Sequence, residues 1–260
     1  MNTIVKEIID NYNPSTFNAD NIIKQLRNKY PNLGTLSKNL SIIKSKLSKS
    51  LPNNPEFNKL KLTNDEYSLL NKKSQNSLNH KLDSLLVIKN SKVFLNEILQ
   101  GLSNSNKYDE LFPALLLATG RRSIEILKTG KFKTIKNKIY FYGQAKKRNE
   151  KSKGYVIPLL YDTKTIQKSL LRLRKGIACL TDGLNNDEIH DTFKRRNYNI
   201  FQKLSEKYQV NLTPHSFRSI YAEFCNIKFN KDKSNAKYRA EILGHSDNNS
   251  QLHYSSVRLE

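Results

Sequence analysis

The sequence predicts a mostly α-helical chain with one small antiparallel β-sheet, an α+β fold in two units: a helical bundle over residues 1–103 and a larger unit over residues 108–260. Three observations carry this expectation. Apolar side chains recur at three- and four-residue spacing through most of the chain, the period of a helix with one buried face. β-branched and aromatic residues crowd into only three short stretches, all between residues 132 and 159, as strands require. Residues 101–107, GLSNSNK, cluster Gly, Ser and Asn between two strongly periodic segments, which is linker composition.

In chain order, Ile4, Ile8 and Ile9 form a first short stripe, and Ile22, Ile23 and Leu26 a second, with Asn18 and Asp20 as capping residues. Leu36, Leu40, Ile43 and Leu47 keep helical spacing until Leu51-Pro52-Asn53-Asn54-Pro55 stops them. Thr63 followed three residues later by Glu66 is a capping box, in which each side chain satisfies the other's backbone N–H. Leu82, Leu85 and Leu86 extend that helix; Val93, Leu95, Ile98 and Leu99 form another. Beyond the linker, residues 108–118 read as a strongly apolar helix ended by Gly120, with a new helix over 121–128. Strands are expected at 132–135, 139–142 and 155–159, with a turn at Asn137-Lys138 and a long basic hairpin loop over 144–154. Helical periodicity returns at Ile166, Leu170 and Leu173, then at Ile189, Phe193, Ile200 and Leu204, and continues at 214–228, 233–243 and 249–255.

Charge narrows the function. The 260 residues hold 45 Lys and Arg against 23 Asp and Glu, a net charge of +22. An excess of that size repels itself and calls for a polyanionic partner. Both parts share it: residues 1–107 carry 16 basic and 8 acidic side chains and residues 108–260 carry 29 and 15, so it is not a basic tail. Nucleic acid fits better than an anionic membrane surface, which would need a basic helix with a strongly apolar face. The N-terminus lacks a signal-peptide core, and no apolar run approaches the 18 residues of a membrane span. The expectation is a soluble intracellular protein associated with DNA. Cys179 and Cys225 lack disulfide-framework or zinc spacing and read as buried free thiols.

Five places carry groups suited to chemistry on phosphate. Arg121 and Arg122 open a helix just after Gly120; helix starts favour anions, and a guanidinium offers a two-pronged contact. Lys146 lies in the hairpin GQAKKRNEKSKG, where an ammonium reaches a DNA groove and donates a proton; Lys147, Arg148, Lys151 and Lys153 there are candidate DNA contacts, as is Arg121 at the helix start. His215 and Arg218, in TPHSFR, share a helix face at i, i+3 behind Pro214 in the first turn. His245 follows Gly244 at a helix end, and Tyr254 stands nine residues further on. Each is ordinary alone, since a random member of 13 tyrosines is core or surface.

Their order is not ordinary. Arg, Lys, His-x-x-Arg, Gly-His and Tyr in this sequence resemble the catalytic domain of the tyrosine recombinase (phage-integrase-like) superfamily over residues 108–256. TGRRSIEIL resembles that family's first arginine box, FYGQAKKR with YVIPL its lysine hairpin, HSFR its His-x-x-Arg box, and LGHSDNNSQLHY its Gly-His-to-Tyr segment. GRRSIEIL, FYGQAKKR and RSIYAEF are also similar to the telomere resolvase (protelomerase) branch, which makes closed hairpin DNA ends. The resemblance implies site-specific strand cleavage and rejoining through a 3′-phosphotyrosyl link, with Tyr254 as nucleophile, Arg122 and Arg218 on the phosphate oxygens, His215 as base, Lys146 as acid and His245 bonded to the phosphate. It implies no cofactor or metal, a double-stranded target with inverted repeats, and a dimer or tetramer on DNA. The N-terminal bundle becomes a core-binding domain, the second jaw of a clamp.

Chemistry alone does not choose between Arg121 and Arg122, or between Lys146 and Lys147. Arg122 is preferred because Glu125 follows it by three residues, as in the family box; Lys146 is preferred on spacing. A type IB topoisomerase-like relaxase and a non-catalytic DNA-binding protein on the same fold remain open. Only six residues follow Tyr254, which predicts either that subunits are coupled otherwise than through a C-terminal helix or that the sequence is a piece of a longer chain.

Overall fold

A computed structural model describes residues 3–49, 54–83, 85–135, 138–145, 154–245 and 257–260. The chain divides into two compact units, Met1–Asn79 and His80–Glu260. The first contains α1 (Thr3–Asp10), α2 (Ala19–Lys29), α3 (Leu33–Leu47), a 3-10 turn (Pro55–Asn58) and most of α4 (Asn64–Asp83). Val5, Leu26, Leu36, Leu40, Ile43, Leu47 and Phe57 make its core; of these, Leu26, Leu36, Leu40, Ile43 and Leu47 are residues whose spacing predicts the helices, while Ile4, Ile8, Ile9, Ile22 and Ile23 pack partly buried against it. The starts of α2, α3 and α4 are closed by side chains. Asn18 accepts from the Asn21 N–H at 3.0 Å, Asn32 from Gly34 and Thr35, and Thr63 and Glu66 form the expected reciprocal box.

The second unit begins earlier than the linker reading expects. Residues 101–107 do not separate domains. They lie where α5 (Ser91–Asn104) gives way to α6 (Tyr108–Thr119), and these helices pack against each other. Gly101 is what allows it: a Cβ there would lie 2.6 Å from the Glu110 carbonyl oxygen. The Gly/Ser/Asn composition reports a tight helix–helix corner.

α6 is the axis of this unit. Every residue from Leu111 to Thr119 is buried, because α5, α7 (Thr163–Thr181) and α9 (Pro214–Phe229) pack around it. A helix apolar on all sides has no other stable place in water. The helix expected over 121–128 is a short turn ending in a π-type segment, Glu125–Thr129. Antiparallel strands follow in the order β2 (Lys131–Ile135), β3 (Lys138–Tyr142), β4 (Tyr155–Val156), with Phe132 opposite Phe141 and Phe141 opposite Tyr155. The third strand is shorter than predicted. α8 (Asn186–Tyr208) and α10 (Asn235–Leu243) complete the helices described.

A second sheet was not legible in the sequence. Leu86–Ile88, read as the end of a helix, is strand β1, and Val257–Leu259 is strand β5, paired with it in parallel. The Ser91 N–H donates to the Glu260 carbonyl at 2.7 Å and the Glu260 N–H to the Ile88 carbonyl at 3.0 Å. The helix expected at 249–255 and the turn at Asn137 lie outside the described residues. Cys225 is buried as expected, but Cys179 is exposed on α7. No described helix is long and apolar enough to cross a membrane.

Candidate active site

The site grows from the end of α6. Gly120 closes that helix in the left-handed region, at φ 64°, with its N–H donating to the Leu116 carbonyl at 2.8 Å. A Cβ on Gly120 would overlap the Tyr221 ring at 2.0 Å, so both backbone angle and space demand glycine. This turn sends two successive arginines different ways. Arg121 goes inward and is 1% exposed. Its Nε donates to the Thr119 carbonyl at 2.9 Å, Nη2 to the Ile242 carbonyl at 2.7 Å and Nη1 to the Tyr155 hydroxyl, and its guanidinium stacks 4.8 Å from the Phe141 ring centre. Burial opposes its charge; Tyr155, Tyr221 and Glu125 nearby more than offset this and hold it firmly protonated.

Arg122 stays at the surface, with its side chain 19% exposed. Its backbone N–H donates to Glu125 Oε2 at 2.9 Å and its Nη1 to Glu125 Oε1 at 2.8 Å. The same Oε1 accepts the Ala145 N–H at 3.2 Å, one residue before Lys146. Glu125 itself is fully buried. Burial pushes its pKa up, but Arg121, Arg122 and Arg218 together hold it below the ordinary carboxylate value. One carboxylate thus fixes the first arginine box to the base of the lysine hairpin. The turn bearing Glu125 is held from behind by Arg174 of α7, which donates to the carbonyls of Glu125, Ile126 and Gly130 at 2.8 to 2.9 Å.

The third box arrives on α9. Thr213 caps it in a reciprocal box with Ser216, and Pro214 opens the first turn. His215 lies exposed in that turn; Arg218, one turn on, is 1% exposed. Arg218 Nη1 donates to the Gly120 carbonyl and Nη2 to the Leu243 carbonyl at 2.6 Å. Arg121 and Arg218 therefore both bridge the C-terminal ends of α6 and α10. Helix C-termini present unpaired carbonyls and a negative dipole end, which is where buried cations are best held. α10 then ends in left-handed Gly244, φ 67°, and the His245 N–H donates to the Ala240 carbonyl at 3.0 Å. The Gly244 carbonyl accepts from Gln144 Nε2 at 3.3 Å. The fourth box is thereby tied to the lysine hairpin as well.

Of the residues singled out from sequence, Arg122 bonds to Glu125 and Arg218 acts on it electrostatically, His215 stands in the turn before Arg218, and the residues preceding Lys146 and His245 are bonded into the same cluster. Lys146, Lys147, Arg148, Lys151, Lys153 and Tyr254 lie outside the described residues. Arg121 is a correction. Read as a DNA contact, it is buried with its donors on carbonyls and a phenol, because the Gly120 turn points it into the sheet. Sequence reasoning missed Glu125 as the junction, and Gln144, Tyr155 and Arg174 as its supports. Only Glu125 left a signal, its i+3 spacing from Arg122. Among the described residues no group of three or more His, Cys, Asp or Glu side chains is placed to hold a metal ion.

The family model of the telomere resolvase ResT/TelK catalytic domain matches residues 84–256. The protelomerase of Yersinia phage PY54 is 36% identical over 165 residues, and that of Escherichia phage N15 is 32% identical over 165 residues. Each alignment covers 56% of this chain and 26% of the relative, so the chain spans about a quarter of the length of these curated relatives. Among solved structures, a variant of protelomerase TelA covalently complexed with substrate DNA superposes with a TM-score of 0.81 at 20% identity, covering 100% of this chain and 90% of that one. Protelomerase TelK complexed with substrate DNA gives 0.66 at 23% identity, covering 99% and 57%. At such identities these likenesses show the fold. The family match spans the arginine turn, the lysine hairpin, the His-x-x-Arg helix and the segment through Tyr254, and on that ground the chain belongs to the telomere resolvase ResT/TelK catalytic-domain family, a branch of the tyrosine recombinase-like enzymes.

Proposed function

We propose that this chain cuts and rejoins double-stranded DNA through Tyr254 and, acting as a telomere resolvase, converts an inverted-repeat site into two closed hairpin ends. One observation carries the reading furthest: three guanidiniums, of Arg121, Arg122 and Arg218, act on the single carboxylate of Glu125. That leaves an excess of fixed positive charge beside the hairpin that bears Lys146. A phosphodiester under attack gathers negative charge on its non-bridging oxygens, and donors already fixed in place stabilise it without reorganising.

In this reading Arg122, the more exposed arginine, meets the phosphate, with Arg218 behind it. Free tyrosine has a pKa of about 10 and is a poor nucleophile at neutral pH, so a base must assist it; His215, exposed at the start of α9, has that role. Tyr254 Oη bonds to phosphorus and the 5′-oxygen leaves, protonated by Lys146. His245 donates to the phosphate. The phosphotyrosyl link keeps the bond energy for rejoining, so the reaction calls for neither ATP nor a metal. Lys147, Arg148, Lys151 and Lys153 would grip the groove, and the first unit would bind the duplex backbone. A site built of inverted repeats implies two copies of the chain on DNA.

The test is a pool of circular duplexes carrying randomised inverted repeats, incubated in EDTA. The expected product is linear DNA that resists exonuclease and snaps back after denaturation. Strand exchange between circles would point to an integrase outcome. Relaxation regardless of sequence would point to topoisomerase-like action. Binding without any covalent change would leave a DNA-binding protein on this fold.

A further inference from the structure

Gln144 stands two residues before Lys146, where β3 has ended and the basic loop begins. Its Nε2 donates to the Tyr155 hydroxyl at 3.0 Å and to the Gly244 carbonyl at 3.3 Å. The two acceptors belong to different boxes. Tyr155 lies on β4, the returning arm of the same hairpin, and also accepts from Arg121. Gly244 is the turn residue directly before His245. The contact is close: a Cβ on Gly244 would lie 2.1 Å from Gln144 Nε2 and 2.6 Å from the Tyr155 hydroxyl. The next residue, Ala145, is held by Glu125 through its N–H. The chain entering the lysine loop is therefore fixed on two sides in its last two residues before Lys146.

We infer that Gln144 is a positioning residue for leaving-group protonation, its amide pinning the base of the lysine loop to the Gly244 turn so that the Lys146 ammonium meets the departing 5′-oxygen. The inference rests on the proposed roles of Lys146 and Tyr254. In the step concerned, the Tyr254 Oη–phosphorus bond forms as the phosphorus–O5′ bond breaks. The bonding pair stays on O5′, which takes a proton from Lys146; the tyrosine proton passes to His215. If sulfur replaces O5′, the phosphorus–sulfur bond breaks instead and the pair leaves as a thiolate. With a thiol pKa of about 8.5, that anion needs no proton at departure. A defect confined to proton donation disappears on the sulfur substrate. A defect in the nucleophile, the arginines or the fold persists.

The experiment compares wild type, Gln144→Met and Lys146→Ala on a cleaved site recovered from the inverted-repeat pool, with oxygen or sulfur at the scissile 5′ position. Methionine keeps the side-chain length and removes the donor. Gln144→Met should form the covalent adduct about 10- to 100-fold more slowly on oxygen DNA, within the usual contribution of a general acid, and come within about 3-fold of wild type on sulfur DNA. Equal slowing on both substrates, or wild-type rates on both, would overturn the inference. Lys146→Ala separates the two levels. If sulfur rescues Lys146→Ala but not Gln144→Met, the positioning role fails alone. If Lys146→Ala is not slowed on oxygen, or is slowed equally on both, Lys146 is not the acid and the inference falls with that assignment.

Discussion

The two units of this chain handle charge in opposite ways. In Met1–Asn79, no described Lys, Arg, Asp or Glu side chain is buried, the core is largely aliphatic and aromatic, and the lone arginine, Arg27, is 43% exposed where it pairs with Glu66. In His80–Glu260, Arg121, Arg218, Arg239 and Glu125 are buried. Removing charges from water is expensive and their mutual attraction often fails to offset it. The first unit shows that this sequence can make a folded core without such burial. Where two helix C-termini, a sheet and a hairpin meet, Arg121, Arg218 and Glu125 set the geometry of Arg122, whose side chain is 19% exposed; Arg239 instead pairs with Glu223. Fixed charge at that junction holds the candidate site; charge in the first unit stays solvated.

The adjacent arginines offer the sharpest way to break this comparison. Arg121→Met strips a buried cation from two carbonyls, a phenol and the field of Glu125, and should lower stability by about 3–5 kcal/mol, read by urea denaturation. Arg122→Met removes one charge-assisted bond while two guanidiniums still face Glu125, and should cost the fold only about 1–2 kcal/mol, yet slow covalent adduct formation by about 10²–10³-fold, the usual loss for one preorganised charge-stabilising donor. Equal effects of the two on stability and on rate would erase the distinction between scaffold and site.

Acid should reach the second unit through Glu125. Its folded pKa lies below the ordinary 4.5 because the three arginines outweigh burial. Between the folded and unfolded values the unfolded chain holds more protons, so this contribution is complete above about pH 4.5 and is lost as pH falls through the folded value. Urea midpoints followed downward from pH 6 should drop, and Glu125→Gln should flatten that part of the profile. A wild-type profile that rises with acid in this range would contradict the arrangement. In the first unit the effects are smaller. Thr63→Ala removes a helix cap and should cost about 1 kcal/mol. Arg27→Ala, at an exposed pair, should stay below about 1 kcal/mol. Both are read by the same denaturation, followed through a probe in the first unit.

The sequence is legible where a single element explains a residue. The capping box at Thr63, the Pro214 start of α9, the apolar α6 and the three antiparallel strands follow from local rules, and the structure has them. Non-local pairing was not legible. β1 is three residues long and gains its partner from the far end of the chain, which no local pattern announces. Glycine, serine and asparagine at 101–107 read as a linker because composition cannot distinguish a flexible joint from a close helix corner. Arg121 and Arg122 look alike in sequence; only the left-handed turn at Gly120 sends one inward. Gln144 and Tyr155 are ordinary residues until the fold brings Gly244 between them.

The central claim concerns Tyr254, and one measurement addresses it most directly. Wild type and Tyr254→Phe are incubated with nicked inverted-repeat duplexes from the pool, denatured in SDS and resolved for protein joined to labelled DNA. Wild type should yield an SDS-resistant adduct that protease digestion reduces to a peptide on the 3′-phosphate of the cut strand, and Tyr254→Phe should yield none. An adduct that forms equally with phenylalanine at this position would contradict the account.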